Sequence, residues 1–157
     1  MEPTVKHIHQ DLIEGCRNND RKSQVQIYKL YYKAMFNTAL RIVNDTQEAE
    51  DVMQESFLQA FRGIDTFRGD ASFGSWLKRI VVNRALDVLK RNRAEYSLDE
   101  IDHEPVEHNL EEEDYMLVLS TRVEAIRKAI HMLPDKDRVV LSLFVLEGYD
   151  HDEIAQI

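Results

Sequence analysis

The 157-residue sequence has little cysteine, glycine or proline. Its single cysteine, Cys16, excludes an internal disulfide framework and a thiolate metal cage, and it favours a reducing compartment. Five glycines and three prolines are too few for a sandwich or barrel, which needs a turn every dozen residues. Because 43% of the residues are apolar, the chain can bury a core, and the composition predicts an all-helical fold.

Long hydrophobic runs are also missing. No apolar run approaches the roughly 18 residues that a membrane-spanning helix needs. The N-terminus lacks the apolar stretch and the small-residue cleavage site of a secretory signal. We therefore expect a cytoplasmic protein without stable membrane insertion.

The net charge of −9 is unevenly distributed. Residues 94–114 hold ten acids and no lysine or arginine, and without these ten the acids and bases of the chain almost balance. Residues 71–93 hold six bases against one acid, Asp87. Such asymmetry is typical of nucleic-acid contact or of electrostatic self-shielding, although charge runs are often only solvated faces.

Apolar residues at helical spacing predict three helices before the acidic stretch. The first covers residues 25–42 and ends near Asn44. A second begins with the capping-box spacing of Asp45 and Glu48 and ends at Gly63. Ser72 caps the third, which carries the basic cluster and has an apolar inner face made of Phe73, Trp76, Leu77, Ile80, Val81 and Val88.

The acidic stretch contains Pro105 and has no sustained period, so we interpret residues 94–117 as a flexible linker between domains 1–93 and 118–157. In the second domain, we expect one helix with an apolar stripe made of Val123, Ile126, Ala129, Ile130 and Leu133. At Pro134 and Asp135 the chain begins a new segment, which carries the apolar residues Val139, Val140, Leu143 and Phe144. After Gly148, the capping-box spacing of Asp150 and Glu153 begins another helix.

Catalytic and metal-binding motifs are missing. His103 and His108 are five apart around Pro105, whereas a zinc-protease helix needs histidines four apart. Glu100 and His103 form one Glu-x-x-His pair, and a di-iron bundle needs two. No phosphate-binding glycine loop or nucleophile elbow is present. We predict a protein that is not an enzyme and binds neither metal nor cofactor.

Several motifs in a fixed order resemble the bacterial extracytoplasmic-function (ECF) sigma factors of RNA polymerase. The first group is DLIEGCR at 11–17, EAEDVMQESF at 48–57, FRG at 67–69 and SFGSWLKRI at 72–80. The second group is LPDKDRVVL at 133–141, EGY at 147–149 and EIA at 153–155. The resemblance implies a first domain that binds the polymerase core and the minus-ten promoter element. It implies a second domain that binds the minus-thirty-five element through a helix-turn-helix, and an anti-sigma protein as a possible further partner.

The resemblance assigns the second predicted helix to the clamp coiled coil of the largest polymerase subunit. The residues expected at this face are Glu48, Asp51, Gln54, Glu55 and Phe57. A charged rim around apolar side chains suits helix-on-helix binding, because the charges set encounter and orientation. Phe57 fits the protein core equally well.

The resemblance assigns the loop before the third helix, and the helix itself, to the minus-ten element. Asn83 and Asp87 offer donors and acceptors to base edges, whereas the basic side chains hold phosphates. The loop resembles the family's pocket for a flipped base, with Phe73 either as its aromatic wall or as core. The expected DNA-binding residues are Arg68, Gly69, Ser72, Phe73, Arg79, Asn83, Arg84, Asp87, Lys90 and Arg91.

The leading hypothesis is therefore a promoter-specificity subunit of RNA polymerase. The alternative is a sigma-like interaction module or adaptor that binds polymerase or a regulator without reading DNA. A helix-turn-helix needs a second helix after its turn, and no residue follows Ile157 in the sequence. We therefore expect a truncated second domain that is mobile beyond Gly148 and does not recognise a minus-thirty-five element.

Overall fold

The computed structural model describes residues 9–95 and 117–157, and these residues form helices and turns without a strand. The predicted all-helical fold is confirmed. Residues 96–116, which include most of the expected linker and the histidine motifs, lie outside the described residues. The elements are α1 Gln10–Arg17, α2 Arg21–Val43, α3 Thr46–Arg62, a 3-10 turn Ile64–Thr66, α4 Phe73–Glu95, α5 Leu117–His131, α6 Asp135–Leu141, a π-helical turn Ser142–Leu146 and α7 His151–Gln156.

The ends of α2 and α3 follow from local chemistry. Asn44 ends α2 in the left-handed region with φ 58°, a conformation that asparagine tolerates better than most residues. The Asp45 carboxylate accepts a hydrogen bond from the Glu48 N–H at 2.9 Å and so caps α3, which ends at Gly63. The Glu48 carboxylate does not complete the predicted capping box. It accepts from Asn92 Nδ2 of α4 at 2.7 Å instead.

Helices α1 to α4 enclose one apolar core. The side chains of Ile13, Ile27 and Leu77 are fully buried in it, together with Ile42, Val52 and Val81. Sequence periodicity predicted no helix before residue 25, so the structure adds α1 to the predicted helices. It packs very close to the start of α2, because a Cβ on Gly15 would lie 2.0 Å from Ser23 Oγ.

The predicted apolar face of α5 is mostly exposed. Val123 is 41% exposed and Ile126 is 55% exposed, whereas Ile130 is buried. The predicted stripe is helical, but Ala129 is exposed as well, so Ile130 is its one buried member among the described residues. Among the other described elements, α5 packs mainly against α6.

The α6 segment packs on the first bundle. Val139 and Leu143 belong to the same buried cluster as the α1–α4 core, while Val140 and Phe144 remain exposed. Arg138 donates hydrogen bonds to the main-chain oxygens of Arg41 and Ile42 at the end of α2. The two segments that we expected to be separate therefore share part of one core.

The chain after Gly148 is packed and helical, whereas the sequence predicted a mobile end. Gly148 has φ 75°, which a side chain would strain, and it ends the preceding turn. Asp150 and Glu153 form the complete predicted capping box at the start of α7. Ile154 and Ile157 pack against the main buried cluster.

Candidate functional site

The outer face of α4 brings together most of the residues predicted for DNA. Arg79, Asn83, Asp87 and Lys90 follow one another at helical spacing and are all exposed, and Arg91 adjoins Lys90. The opposite face of α4 buries Leu77, Val81, Val82 and Ala85 in the core. Burial of that face fixes the direction in which the polar face points. The exposed stripe of α4 therefore places one amide, of Asn83, and one carboxylate, of Asp87, between basic side chains.

Arg84 departs from this stripe. Its Nε donates to Glu55 Oε2 at 2.7 Å and its Nη1 donates to Gln59 Oε1 at 3.2 Å, so the guanidinium is directed at α3. Nη2 also donates to Glu55 Oε2, so two nitrogens share one carboxylate oxygen, and an exposed ion pair of this kind contributes little stability. Arg84 and Glu55, which were predicted to bind different partners, are paired with each other in the described chain. Arg84 therefore lies off the exposed stripe and stays a predicted DNA-binding residue.

The loop before α4 contains the remaining predicted DNA residues. Gly69 has φ 81°, a backbone conformation that favours glycine. Arg68 is exposed. The Ser72 hydroxyl oxygen accepts from the Ser75 N–H at 3.2 Å, which confirms Ser72 as the cap of α4. These contacts hold the loop at the N-terminal end of the exposed stripe.

Phe73 is buried beneath this loop and does not form an exposed aromatic surface. It is 3% exposed, and its ring lies edge-on to Phe67 with a centroid separation of 5.5 Å. Tyr31 and Trp76 contact the same ring. Since its faces are covered by protein, Phe73 has no free surface on which a base could stack. Of the two roles considered from sequence, the structure gives it the core role.

Arg17 makes a contact that the sequence did not reveal. Its Nη2 donates to the Phe67 main-chain oxygen at 2.8 Å, and its Nη1 pairs with Glu14 Oε1 at 2.5 Å. The bond to Phe67 joins α1 to the loop across 50 positions of sequence. The spacing of Glu14 and Arg17 predicts a local pair on a helix, but no local signal indicates the distant carbonyl.

The outer face of α3 carries the predicted polymerase-binding acids. Asp51, Gln54 and Glu55 are exposed, and Glu48 is partly buried beside Asn92. Leu58, which the sequence motifs did not single out, is 53% exposed at the next helical position. The face therefore combines acids with one apolar side chain.

Phe57 does not belong to that face. It is 2% exposed and packs against Tyr28, with ring centroids 4.9 Å apart. Of the two roles open to Phe57 from sequence, core packing is the one that the structure supports. The candidate face is reduced to Glu48, Asp51, Gln54 and Glu55, with Leu58 added.

Residues 9–95 and 117–157 offer neither a metal site nor a membrane span. They contain no group of three or more His, Cys, Asp or Glu side chains arranged to hold a metal ion. None of their helices is both long enough and apolar enough to cross a bilayer.

Comparison with protein families gives two matches in chain order. The model for sigma-70 region 2 matches residues 27–95, which include α3, the loop and α4. The model for sigma-70 region 4 matches residues 123–157. The candidate faces described above thus lie within the region 2 match, and Arg17 lies before it.

Individual relatives agree with these matches. The chain is 30% identical to the RNA polymerase sigma-H factor of Pseudomonas aeruginosa, in an alignment that covers 94% of this chain and 81% of that protein. It is 33% identical to the ECF RNA polymerase sigma-E factor of Salmonella typhimurium and 32% identical to that of Escherichia coli, with the same coverage. The chain therefore belongs to the ECF sigma factors of the sigma-70 family, which are non-enzymatic promoter-specificity subunits in the initiation of transcription.

Proposed function

We propose that the two exposed faces of the first bundle divide the work of promoter recognition. The α3 face binds the clamp coiled coil of the largest polymerase subunit. The α4 stripe and the loop before it bind the separated minus-ten strand within the holoenzyme, in the cytoplasm. Both faces belong to domain 1–93, and residues 94–117 link it to domain 118–157. Binding by an anti-sigma protein stays a prediction.

The observation that carries this proposal is the separation of charge on two adjacent helices. The exposed part of α3 is acidic, with Asp51 and Glu55 beside Leu58, whereas the exposed part of α4 carries Arg79, Lys90 and Arg91. An acidic rim with an apolar side chain suits a helical protein partner. A basic stripe attracts the phosphates of DNA, whereas the acidic face of α3 repels them.

Asn83 and Asp87 are the candidates for base contacts. They lie between Arg79 and Lys90 on the α4 stripe, and neither forms a side-chain hydrogen bond or ion pair with the described residues. An amide and a carboxylate together offer donors and acceptors that distinguish base edges. Arg79, Lys90 and Arg91 bind phosphates and so position the strand. The loop with Arg68 and Gly69 borders the same stripe.

The polymerase contact is tested by reversing one charge on α3. Asp51 is preferable to Glu55, because replacing Glu55 would also break its bridge to Arg84. We expect Asp51→Arg to weaken binding to purified core polymerase roughly tenfold, about 1.4 kcal/mol. The matched control is Asp11→Arg, which reverses an exposed acid on α1.

A titration of core polymerase against fluorescently labelled chain measures both variants, and the helical circular dichroism spectrum checks their fold. Exposed substitutions of this kind change stability by about 0.5 kcal/mol or less. Equal core affinities for Asp51→Arg and Asp11→Arg, with unchanged spectra, would remove the α3 face from the proposal.

A further inference from the structure

The loop before α4, residues 67–72, has few side chains that could distinguish one base from another. Gly69 has none, Ala71 ends at a methyl group, and the Ser72 hydroxyl bonds to Ser75 at the start of α4. Among the described residues, no group accepts a hydrogen bond from the main-chain N–H of residues 68–71. We therefore expect the main chain of the loop to supply hydrogen-bond donors to the promoter strand.

Phe67, where the loop begins, is held at its ring, its N–H and its carbonyl. The ring is 4% exposed and lies against Trp76 with centroids 5.4 Å apart. The N–H donates to the Ile64 main-chain oxygen at 3.1 Å. The carbonyl oxygen accepts from Arg17 Nη2 at 2.8 Å. The bond from Arg17 therefore fixes the direction of the carbonyl, which belongs to the peptide group shared with Arg68.

The direction of this carbonyl decides where the main-chain N–H of Arg68 points. The peptide bonds of the described residues are all trans. In a trans peptide group, the C=O and the N–H lie in one plane and point in opposite directions. Because Arg17 lies on the carbonyl side, the Arg68 N–H points away from α1. Arg17 thus orients a main-chain donor that has no acceptor in the described chain.

Arg17 is itself oriented by its neighbours on α1. Its Nη1 lies 2.5 Å from Glu14 Oε1, and Gln10 Nε2 donates to the same oxygen at 3.1 Å. The Arg17 side chain is 29% exposed, so most of it is shielded from water that would compete for the carbonyl. Hydrogen bonds from an ionised donor are also stronger than neutral ones. The guanidinium is therefore a directed contact to the loop.

We propose that Arg17 is a positioning residue for promoter specificity, which aims the Arg68 N–H at an acceptor atom of one minus-ten base. The proposal rests on the function proposed above for the loop. It gives Arg68 two separate roles. The main-chain N–H distinguishes bases by the acceptors on their edges, whereas the guanidinium binds phosphate and carries no sequence information. A base without an acceptor at that point is disfavoured, because the N–H is then left unpaired.

Two substitutions at Arg68 separate its main chain from its side chain. Arg68→Pro removes both the N–H and the guanidinium, whereas Arg68→Ala removes the guanidinium alone. The backbone suits proline, because Phe67 is extended with φ −72° and ψ 110°, and Arg68 has a negative φ. Since the Arg68 N–H has no acceptor in the described chain, Arg68→Pro removes no hydrogen bond of the fold.

Three further variants test the contact from α1. Arg17→Met removes the donor to the Phe67 carbonyl, and Arg17→Lys keeps a positive charge and a donor at the same position. Arg21→Met is the matched control, because it removes an exposed base at the start of α2. The helical circular dichroism spectrum at the assay temperature shows that each variant is folded. If Arg17→Met does not fold, Arg17→Lys and the two Arg68 variants still test the proposal.

The measurement uses holoenzyme assembled with the whole chain. Each holoenzyme is titrated with promoter DNA that carries every single-base change of the minus-ten element. We expect Arg68→Pro and Arg17→Met to lower discrimination at the same one position by roughly threefold to tenfold, which is the effect of one hydrogen bond. Arg17→Lys should lose less. Arg68→Ala should lower affinity for all sequences alike, and Arg21→Met should retain discrimination at every position.

A merely structural role of Arg17 predicts a different result. Arg17→Met would then weaken binding to all sequences equally, and this outcome would overturn the proposal. Retained discrimination in Arg68→Pro, or losses at different positions in Arg68→Pro and Arg17→Met, would overturn it as well. Combining the two substitutions should lower discrimination no further than Arg68→Pro alone, because both act on one contact. An additive loss would contradict that shared contact.

Failure of the proposed function gives its own result. If Asn83→Ala and Arg68→Ala leave promoter affinity unchanged for every sequence and salt concentration, the loop and the α4 stripe do not bind the strand. The proposal for Arg17 then fails with the function on which it rests. If Asn83→Ala loses discrimination and Arg68→Ala loses affinity, while Arg17→Met and Arg21→Met behave alike, the proposal for Arg17 fails and the proposed function stands.

Discussion

The first bundle and the second segment use their apolar residues in opposite ways. In residues 10–95, Ile13, Ile27 and Leu77 are completely buried, and three large apolar side chains are well exposed. In the described second segment, seven large apolar side chains are exposed, and Met132 reaches 78%. The first bundle is stabilised by its own core, whereas the second segment is attached to that core through a few apolar side chains, Val139 and Leu143 among them, and through the buried Arg138 and Glu147.

This difference predicts where a substitution will act. Changes in the first bundle should alter the global free energy of unfolding, because its core is continuous. Changes at Arg138 or Glu147 should alter docking of the second segment and leave the bundle folded. The following substitutions test that division, in order of decreasing effect.

The largest effect is expected in the first core. Leu77→Ala removes a fully buried side chain at the α4 face that packs on α2 and α3, and such substitutions cost about 2 to 5 kcal/mol. Val145→Ala, at a position 52% exposed in the second segment, should cost about 0.5 kcal/mol or less. Urea unfolding followed by circular dichroism measures both. Similar losses for the two variants would contradict the contrast between the regions.

A smaller, local effect is expected at the anchor. Arg138→Met removes the donor to two carbonyls at the end of α2 and leaves Asp135 without that partner. Leaving buried polar groups unpaired costs about 1 to 3 kcal/mol. Hydrogen exchange should accelerate in α6 and remain slow in α4. Arg127→Met, at an exposed position of α5, is the control and should leave both rates unchanged.

The helices of the first bundle were predictable because their signals are local. Asn44, Asp45 and Gly63 mark helix ends through side-chain and backbone chemistry that sequence shows directly. The helical period also separated the buried face of α4 from its polar face. The eight-residue α1 was missed because it is short and its burial depends on the distant α2.

The candidate site was predictable where it depends on helical register, and it was not where it depends on tertiary packing. The four-residue spacing of Arg79, Asn83 and Asp87 is sufficient by itself to place them on one face of a helix. Burial of Phe57 and Phe73, by contrast, depends on rings from other helices. The bond from Arg17 to the Phe67 carbonyl is likewise non-local.

The loop should respond modestly to loss of Arg17. Arg17→Met removes the hydrogen bond to the Phe67 carbonyl, and partial exposure limits the expected cost to about 1 kcal/mol. Trp76, the only tryptophan of the chain, contacts the Phe67 ring, so its fluorescence should report the loosened loop. Arg21→Met, at an exposed position of α2, should leave the spectrum unchanged. An identical spectrum for both variants would show that Arg17 does not position the loop.

The smallest effect concerns pH. Burial, and to a lesser degree Glu147 and Glu153, raise the pKa of Tyr149 above its usual 10.0, and Arg79 opposes the rise. The stabilisation from a raised pKa is complete below the unfolded value and is lost as pH rises through the folded value. Docking of the second segment should therefore weaken above pH 10. Tyr149→Phe should retain docking to higher pH, as measured by hydrogen exchange in α6. If exchange in α6 depends on pH in the same way with and without this substitution, Tyr149 does not cause the loss of docking.

The central claim is that the α4 stripe of the first bundle reads promoter bases with Asn83 and holds phosphates with Arg91. The most direct measurement compares Asn83→Ala and Arg91→Ala holoenzymes across a panel of minus-ten variants at several salt concentrations. We predict that Asn83→Ala loses about 1 to 3 kcal/mol of discrimination at one base position. Arg91→Ala should lower affinity for all sequences alike and flatten the salt dependence. The same loss of discrimination in both variants, or in neither, would contradict the claim.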